Sequence, residues 1–491
     1  MIKHLDKQQQ KNFQTALKHK NEKQYNSSIE MFEKLLLKDT QNISYLEELG
    51  QLYTITNNFQ KSMDICNKIY FLQPLNGVNL NNLGICYFNL KNYEKALEIF
   101  KQILQIKNDI PDIYNNISNC YINMKQYRLA ESVLIISKKL REDTDIYFRL
   151  GNLYFYTKRY EESITYYTKL PKTHDNLYNL SFPYLALNQY LTGFELYENR
   201  LFNNNIHPQT GEKQRVEIPQ IPDWDGKKPC KRLLVIYEQG IGDNIQYYRF
   251  MIEFSIRNPK IKITYFCKQT VSNILKPYPN IQVESYTIDI TAFDYKMFIM
   301  SFPNFLKIDV IHPNTHDYIL YNRPKIEFWK NKLSPLKKYK IGFVHNGLLS
   351  SFIEKDIPLI EFENLANNIS ENAKSNIDFI CMCKLKEVEN EITKMKIIHH
   401  FDIDKEVAFV DTIAILKNID LLITIDTAIV HLAGVMGIKT WLLLGYGSDW
   451  RWSTKDTTFW YNSVEIIRMK ENVELKNIMG VVKEKIDNID F

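Results

Sequence analysis

Two loops in the second half of the chain carry residue types that can do chemistry. The first, Glu238-Gln239-Gly240-Ile241-Gly242-Asp243-Asn244-Ile245, follows an apolar run from Leu233 to Tyr237. Asp243 stands where a helix is predicted to begin, and Gly240 and Gly242 keep bulk away so that the backbone can approach a ligand. A carboxylate so placed can take a proton from a hydroxyl, or it can simply cap its helix. The second loop runs Asp426-Thr427-Ala428-Ile429-Val430-His431-Leu432-Ala433-Gly434. It leaves a buried strand and opens a helix, so Thr427 and the free amides behind it present partial positive charge to an anion such as phosphate. His431 lies one turn further on, on the face of Thr427, where it either donates to a phosphate oxygen or packs as a core histidine.

Spacing weighs against other chemistries, of which a nicotinamide-dependent enzyme stays open as a weaker rival. Gly240 and Gly242 begin a dinucleotide fingerprint, but Ile245 occupies the third glycine position, and the Lys and Ser/Thr of a phosphate-binding P-loop are missing. The seven cysteines, Cys66, Cys86, Cys120, Cys230, Cys267, Cys381 and Cys383, form an odd, scattered set, for which reduced thiols are expected. Cys381-Met382-Cys383 lacks a second pair at zinc spacing and falls in a predicted strand, which favours core packing over metal. No metal and no resident cofactor are expected.

Composition narrows the partners. A net charge of +5 arises from 62 basic and 57 acidic residues that are interspersed rather than gathered into tracts, so nucleic acid is not indicated. Met1 to Gln14 lacks the apolar middle section of a secretory signal. The most apolar stretch, Leu421 to Tyr446, is broken by Asp426, His431 and Lys439 and reads as buried strands and a helix rather than a membrane segment. A cytoplasmic protein is expected.

At 491 residues the chain exceeds a single core, which stops growing near ~250 to 300 residues. Residues 8–200 repeat with a 34-residue period: Leu49, Leu83, Ile117; Gly50, Gly84, Ser118; Tyr53, Tyr87, Tyr121; Phe59, Tyr93, Tyr127; Ser62, Ala96, Ala130. The pattern is that of tetratricopeptide helical hairpins, in which small residues let two helices approach while aromatic rings fill the flanks. Degenerate units precede (Tyr25, Ser28, Phe32) and follow (Leu150 to Tyr167; Leu180 to Tyr197), about six in all. Such an array either offers a concave surface to a protein or peptide, or acts as a spacer. Asn81, Asn82, Asn115 and Asn116 are candidates to hydrogen-bond a peptide backbone in the groove, or are solvated helix surface.

Residues 201–230 form a linker marked by Pro208, Gly211, Pro219, Pro222 and Gly226. Beyond it, apolar runs alternate with helical ones: Leu233 to Tyr237, a helix over Asn244 to Ile256, then Ile263 to Cys267, Tyr295 to Met300, Lys340 to Val344, Phe379 to Met382, Leu421 to Ile425 and Thr440 to Leu444. This predicts parallel sheets covered on both faces, in two Rossmann-like lobes of residues 231–325 and 326–491, with ligands at the carboxyl ends of the strands.

Glu238 to Asp243 with Gln246-Tyr247 and Arg249-Phe250, then Asp426-Thr427-Ala428, His431-Leu432-Ala433-Gly434, Asp449-Trp450-Arg451-Trp452 and Trp224-Asp225-Gly226 resemble the ordered signatures of one family. It comprises bacterial tetratricopeptide proteins carrying a heptosyltransferase-like (family 9) glycosyltransferase domain. The resemblance covers essentially the whole chain and implies an α-helical solenoid followed by an α/β domain of the GT-B fold. It further implies an acceptor-side first lobe, a second lobe for a nucleotide-sugar donor, and metal-independent sugar transfer to a hydroxyl. Carried over by position, Asp243 is the general base, with Gln239, Gly240 and Gly242 in its loop. Thr427, Ala428 and His431 stabilise the departing diphosphate, and Asp426 belongs to the same donor-side loop. Where relatives carry Trp-x-Gly this chain has His345-Asn346-Gly347, and their Arg-Ser before Pro-Leu is Lys355-Asp356 here, followed by Ile357. Lys355 still attracts a phosphate, without the bidentate fork of Arg. Asn346 and Gly347 fall on the donor side. Trp450, Arg451 and Trp452 either stack a nucleoside base and pair with phosphate, or pack the lobes together. The alternative to an enzyme is a tetratricopeptide scaffold or ligand sensor with a degenerate transferase domain.

Overall fold

The computed structural model describes residues 7–203, 216–347, 356–384, 388, 392, 398–452, 454–470 and 475–490. Residues 7–197 form helical hairpins: α1 (Lys7–Asn21) with α2 (Tyr25–Lys38), α3 (Ile43–Ile55) with α4 (Phe59–Leu72), and α5 (Gly77–Asn89) with α6 (Tyr93–Ile106). Then come α7 (Pro111–Asn123) with α8 (Tyr127–Leu140), α9 (Thr144–Tyr156) with α10 (Tyr160–Tyr167), and α11 (His174–Ala186) with α12 (Tyr190–Tyr197). The chain divides into two compact units, residues 1–154 with 165–170, and residues 155–164 with 171–491.

In the first unit the periodic small residues do what their size suggests. Ser28, Ser62, Ala96 and Ala130 are fully buried, and the Ser62 hydroxyl donates to the Gly50 carbonyl at 2.9 Å. A Cβ on Gly84 would sit 2.5 Å from the Phe100 ring, so only glycine admits that ring. The turns at Lys23, Asn57, Lys91 and Lys125 take positive φ between 58° and 62°. At such a turn the Asn92 amide reaches back to the Tyr87 carbonyl at 2.9 Å and stops the first helix. Of the four asparagines, Asn115 departs from the groove reading. Asn115 is buried, donates to Asp145 at 2.9 Å and accepts from Ser137 at 2.8 Å, and Asn116 donates to Asn81 at 3.1 Å. Asn115 is thus taken up inside the array, whereas Asn81, Asn82 and Asn116 remain partly exposed.

The second unit contains two all-parallel sheets. The first has the order β3-β2-β1-β4, from β1 (Arg232–Ile236), β2 (Lys262–Phe266), β3 (Ile281–Glu284) and β4 (Tyr295–Phe298). The second has the order β10-β9-β8-β5-β6-β7, from β5 (Tyr339–Val344), β6 (Ile377–Cys381), β7 (Ile398–His400), β8 (Leu421–Ile425), β9 (Thr440–Leu444) and β10 (Val464–Arg468). Helices α13 (Ile241–Arg257), α14 (Gln269–Ser272), α15 (Phe302–Phe305), α16 (Arg323–Leu333), α17 (Leu359–Asn368), α18 (Glu371–Asn376), α19 (Val410–Leu416), α20 (Ala428–Val435) and α21 (Met479–Asp487) surround them. Central strands β8 and β9 are buried at every residue, as strands covered on both faces must be. Edge strands β3, β7 and β10 escape the apolar-run pattern because polar residues such as Gln282, His400 and Glu465 face solvent there. Among the described residues no helix is long and apolar enough to cross a membrane.

Trp224-Asp225-Gly226 is structural. The Trp224 ring stacks on Phe305 at 5.9 Å, Asp225 accepts the amides of Lys227 and Lys228 at 2.9 and 3.0 Å, and Gly226 takes φ +75° against the Phe305 ring.

Candidate functional site

The loop after β1 is held from below by a buried ion pair. Glu238 accepts from Arg200 Nε and Nη2 at 3.0 and 2.7 Å and from the Met300 amide at 3.0 Å. Gln239 then turns the chain through φ +59° and meets the Tyr197 hydroxyl at 3.1 Å. Gly240 caps α13, and its amide donates to Asp243 Oδ2 at 3.0 Å, so the capping role of Asp243 is realised. Its other oxygen, Oδ1, accepts from Arg451 Nη2 at 2.8 Å. Burial pushes the Asp243 carboxyl above its ordinary value, and the pull of Arg451 the other way does not reverse this.

Gly242 is small for a different reason from the one its spacing suggests. A Cβ there would lie 2.8 Å from His431 Cδ2 and 3.3 Å from the Ala428 Cα, so the glycine lets α13 and α20 touch. The loop after β8 thereby comes beside Asp243. Thr427 caps α20, its hydroxyl accepting the Ile429 amide at 3.4 Å. His431 is 6% exposed, bonds through Nδ1 to the Tyr461 hydroxyl at 3.0 Å, and stacks on Trp452 at 5.4 Å. Asp426 follows β8, immediately before Thr427.

Arg451 is the hub. It pairs with Asp449 at 3.0 Å as well as with Asp243, and its Nε donates to Gln246 at 3.1 Å. Trp450 and Trp452 are buried, Trp450 lying edge-on to Phe194 at 6.1 Å and to Trp460 at 6.2 Å, so both tryptophans pack rather than offer a face to a base. Around this hub Gln246 Nε2, Tyr247 Oη, Trp450 Nε1 and Trp452 Nε1 are buried without a hydrogen-bond partner among the described residues.

At the carboxyl end of β5 in the second sheet stand Asn346 and Gly347. The Gly347 amide donates to Asp356 at 3.0 Å, and a Cβ on Gly347 would sit 3.1 Å from Thr427 Cγ2. Lys355 lies outside the described residues. His345, one residue before Asn346, is brought onto Cys381 and Cys383, a juxtaposition the cysteine spacing alone does not reveal. A hydrogen bond from the Cys381 thiol and the nearby imidazole draw the Cys383 thiol well below its ordinary value.

Arg200, Glu238, Gln246, Asp449 and Tyr461 complete the constellation and carried no role in the sequence reading. Arg200 and Tyr461 had no signal, because each is placed by tertiary packing; Glu238 and Asp449 stood within quoted motifs as buried or paired acids.

Against known proteins, one tetratricopeptide repeat model matches residues 80–109 and a second matches residues 144–170. No curated protein matches the chain. A tetratricopeptide repeat protein from Parabacteroides merdae is 16% identical over 40% of this chain and 78% of its own, with a TM-score of 0.36. PilW, a type IV pilus biogenesis factor, is 16% identical over 40% of this chain and 94% of its own, with a TM-score of 0.37. A thermophilic tetratricopeptide repeat protein of Thermus thermophilus is 17% identical over 34% and 94%, with a TM-score of 0.30. The N-terminal region of this chain is built of tetratricopeptide repeats, a protein-interaction architecture.

Proposed function

We propose a cytoplasmic glycosyltransferase of the GT-B type that moves a sugar from a nucleotide-sugar donor to an acceptor hydroxyl, its repeats holding a protein partner or the acceptor. One relationship supports this best. Asp243, a carboxylate whose proton affinity burial raises, follows directly on Gly242, which touches Ala428 and His431 at the start of α20. A base and an anion-stabilising helix start thus stand in neighbouring loops, the tools that displacement of a diphosphate needs. The unpartnered polar atoms of Gln246, Tyr247, Trp450 and Trp452 are groups a bound ligand can satisfy. In this reading Asp243 deprotonates the acceptor, Thr427, Ala428 and His431 receive the leaving diphosphate, and Asp426, Asn346 and Gly347 line the donor side. No metal takes part in the transfer.

A non-catalytic scaffold or ligand sensor is favoured by a separate observation. Both oxygens of Asp243 are engaged, by Gly240 and by Arg451, as in a structural clamp.

Thermal stabilisation by UDP, GDP, ADP or CMP, followed by donor hydrolysis, separates the readings. A transferase shows a shift with one nucleotide, and Asp243→Asn hydrolyses the matching sugar donor at least ~100-fold more slowly. A shift with equal hydrolysis by both proteins leaves the sensor; no shift with any nucleotide removes enzyme and sensor together. For the array, cross-links between the full chain and its partner should concentrate on residues 8–200.

A further inference from the structure

The carboxyl ends of β5 and β6 bring three metal-ligand side chains together. His345 follows β5 directly, Cys381 ends β6, and Cys383 lies two residues on. Phe343 pairs with Cys381 in parallel register, and the Met382 amide donates to the Phe343 carbonyl at 2.9 Å, which carries the pairing on toward His345 and Cys383. Side chains two residues apart on an extended chain share a face, so this register gathers His345, Cys381 and Cys383 on one side. One ligand atom from each lies within 4.8 Å of the others, and the residues are 5%, 1% and 6% exposed.

Two features distinguish this cluster from cysteines that fill a core. The imidazole is fixed: Nδ1 donates to the Ile357 carbonyl at 3.0 Å, and the Ile357 amide returns a bond to the His345 carbonyl at 2.9 Å. The ring's lone pair is therefore on Nε2, and an Nδ1–H to carbonyl bond is how ligating histidines are oriented. The donor set is also selective, because two thiolates and an imidazole suit zinc and other thiophilic cations, whereas magnesium and calcium require oxygen.

We propose that His345 Nε2, Cys381 Sγ and Cys383 Sγ bind one zinc ion, with a water or other exogenous ligand as the fourth donor. Two sulfur–zinc bonds and one nitrogen–zinc bond form, and the two thiol protons pass to solvent. Zinc–sulfur bonds of about 2.3 Å hold ligand atoms within about 4 Å of one another, so a small contraction of the cluster closes the site. The site is independent of the glycosyl-transfer reading, which gives none of these three residues a role.

The test uses the full chain, stripped with a chelator under reducing conditions and reloaded with zinc alone. Expected are uptake of about one zinc per chain and an X-ray absorption shell of two sulfur and two nitrogen or oxygen donors. With cobalt in its place, a thiolate charge-transfer band should saturate at about one equivalent, and Cys383→Ser and His345→Gln should each weaken binding at least ~10-fold. The absorption shell needs no variant and so stands even if either variant fails to fold. Zinc uptake far below one per chain, a shell without sulfur, or recovery of a Cys381–Cys383 disulfide in a protein that takes no zinc would each overturn the proposal.

Discussion

Arg451 donates through Nη2 to Asp243 Oδ1 at 2.8 Å, across 208 residues of sequence. The Arg451 side chain is 10% exposed and that of Asp243 24%, so water screens this pair little. It fastens the start of α13, on the first sheet, to the segment that follows β9 in the second.

Arg451→Ala should therefore cost about 3 kcal/mol of stability or more, because Asp243 and Asp449 lose their shared cation. Urea unfolding of the full chain reads this directly. A loss under about 1 kcal/mol would mean that the pair is dispensable to the fold.

Gly242→Ala should lower stability by about 1 to 3 kcal/mol, since the added Cβ meets the Ala428 backbone as well as the His431 ring. Gly480→Ala in α21, where nothing lies within 4 Å of the added Cβ, should change stability in the opposite direction by about 0.5 kcal/mol. Melting temperatures of the two variants, moving apart around wild type, check the contrast.

Glu238→Ala takes from the buried Arg200 guanidinium its two-pronged carboxylate partner while Glu198 stays in place, and should cost about 3 to 5 kcal/mol. Adding Arg200→Met to that variant should recover part of the loss, because it removes the stranded charge. The double-mutant cycle by chemical denaturation is the measurement; strict additivity would contradict the coupling.

Lys158 supplies a pH signature. Its ammonium lies over the Tyr446 ring at 4.4 Å, and burial, with Arg468 nearby, draws its pKa from 10.5 to about 8. Between these values the unfolded chain binds a proton that the folded chain does not, so this group's contribution to stability rises with pH across the window. Below pH 8 its cost is fully present. Lys158→Met should thus be more stable than wild type at pH 7 by about 1 kcal/mol, allowing for partial solvent screening, with the difference shrinking towards pH 10. Paired denaturation curves across that range decide it.

Much of the architecture was legible because it rests on local periodicity. Leu421 to Ile425 and Thr440 to Leu444 are the strands themselves, residue for residue, since central parallel strands must be apolar on both faces. Edge strands β3, β7 and β10 were hidden because polar residues break their apolar runs, whereas edge strand β4 kept its run and was legible. Asp243 and Thr427 could be located at helix starts from their flanking residues, and both do cap.

The sequence by itself determined the six hairpins, the two sheets and the positions of the two loops, because each follows from spacing within a few dozen residues. Only the tertiary structure decided what those loops meet. Gly242 is small for His431 and Ala428, His431 is buried against Tyr461 and Trp452, Arg451 reaches Asp243, and His345 reaches Cys381 and Cys383. These contacts join different elements, from His431 with Trp452 to Asp243 with Arg451. Their pairing is set by how the sheets and helices pack, which no local pattern of residues encodes.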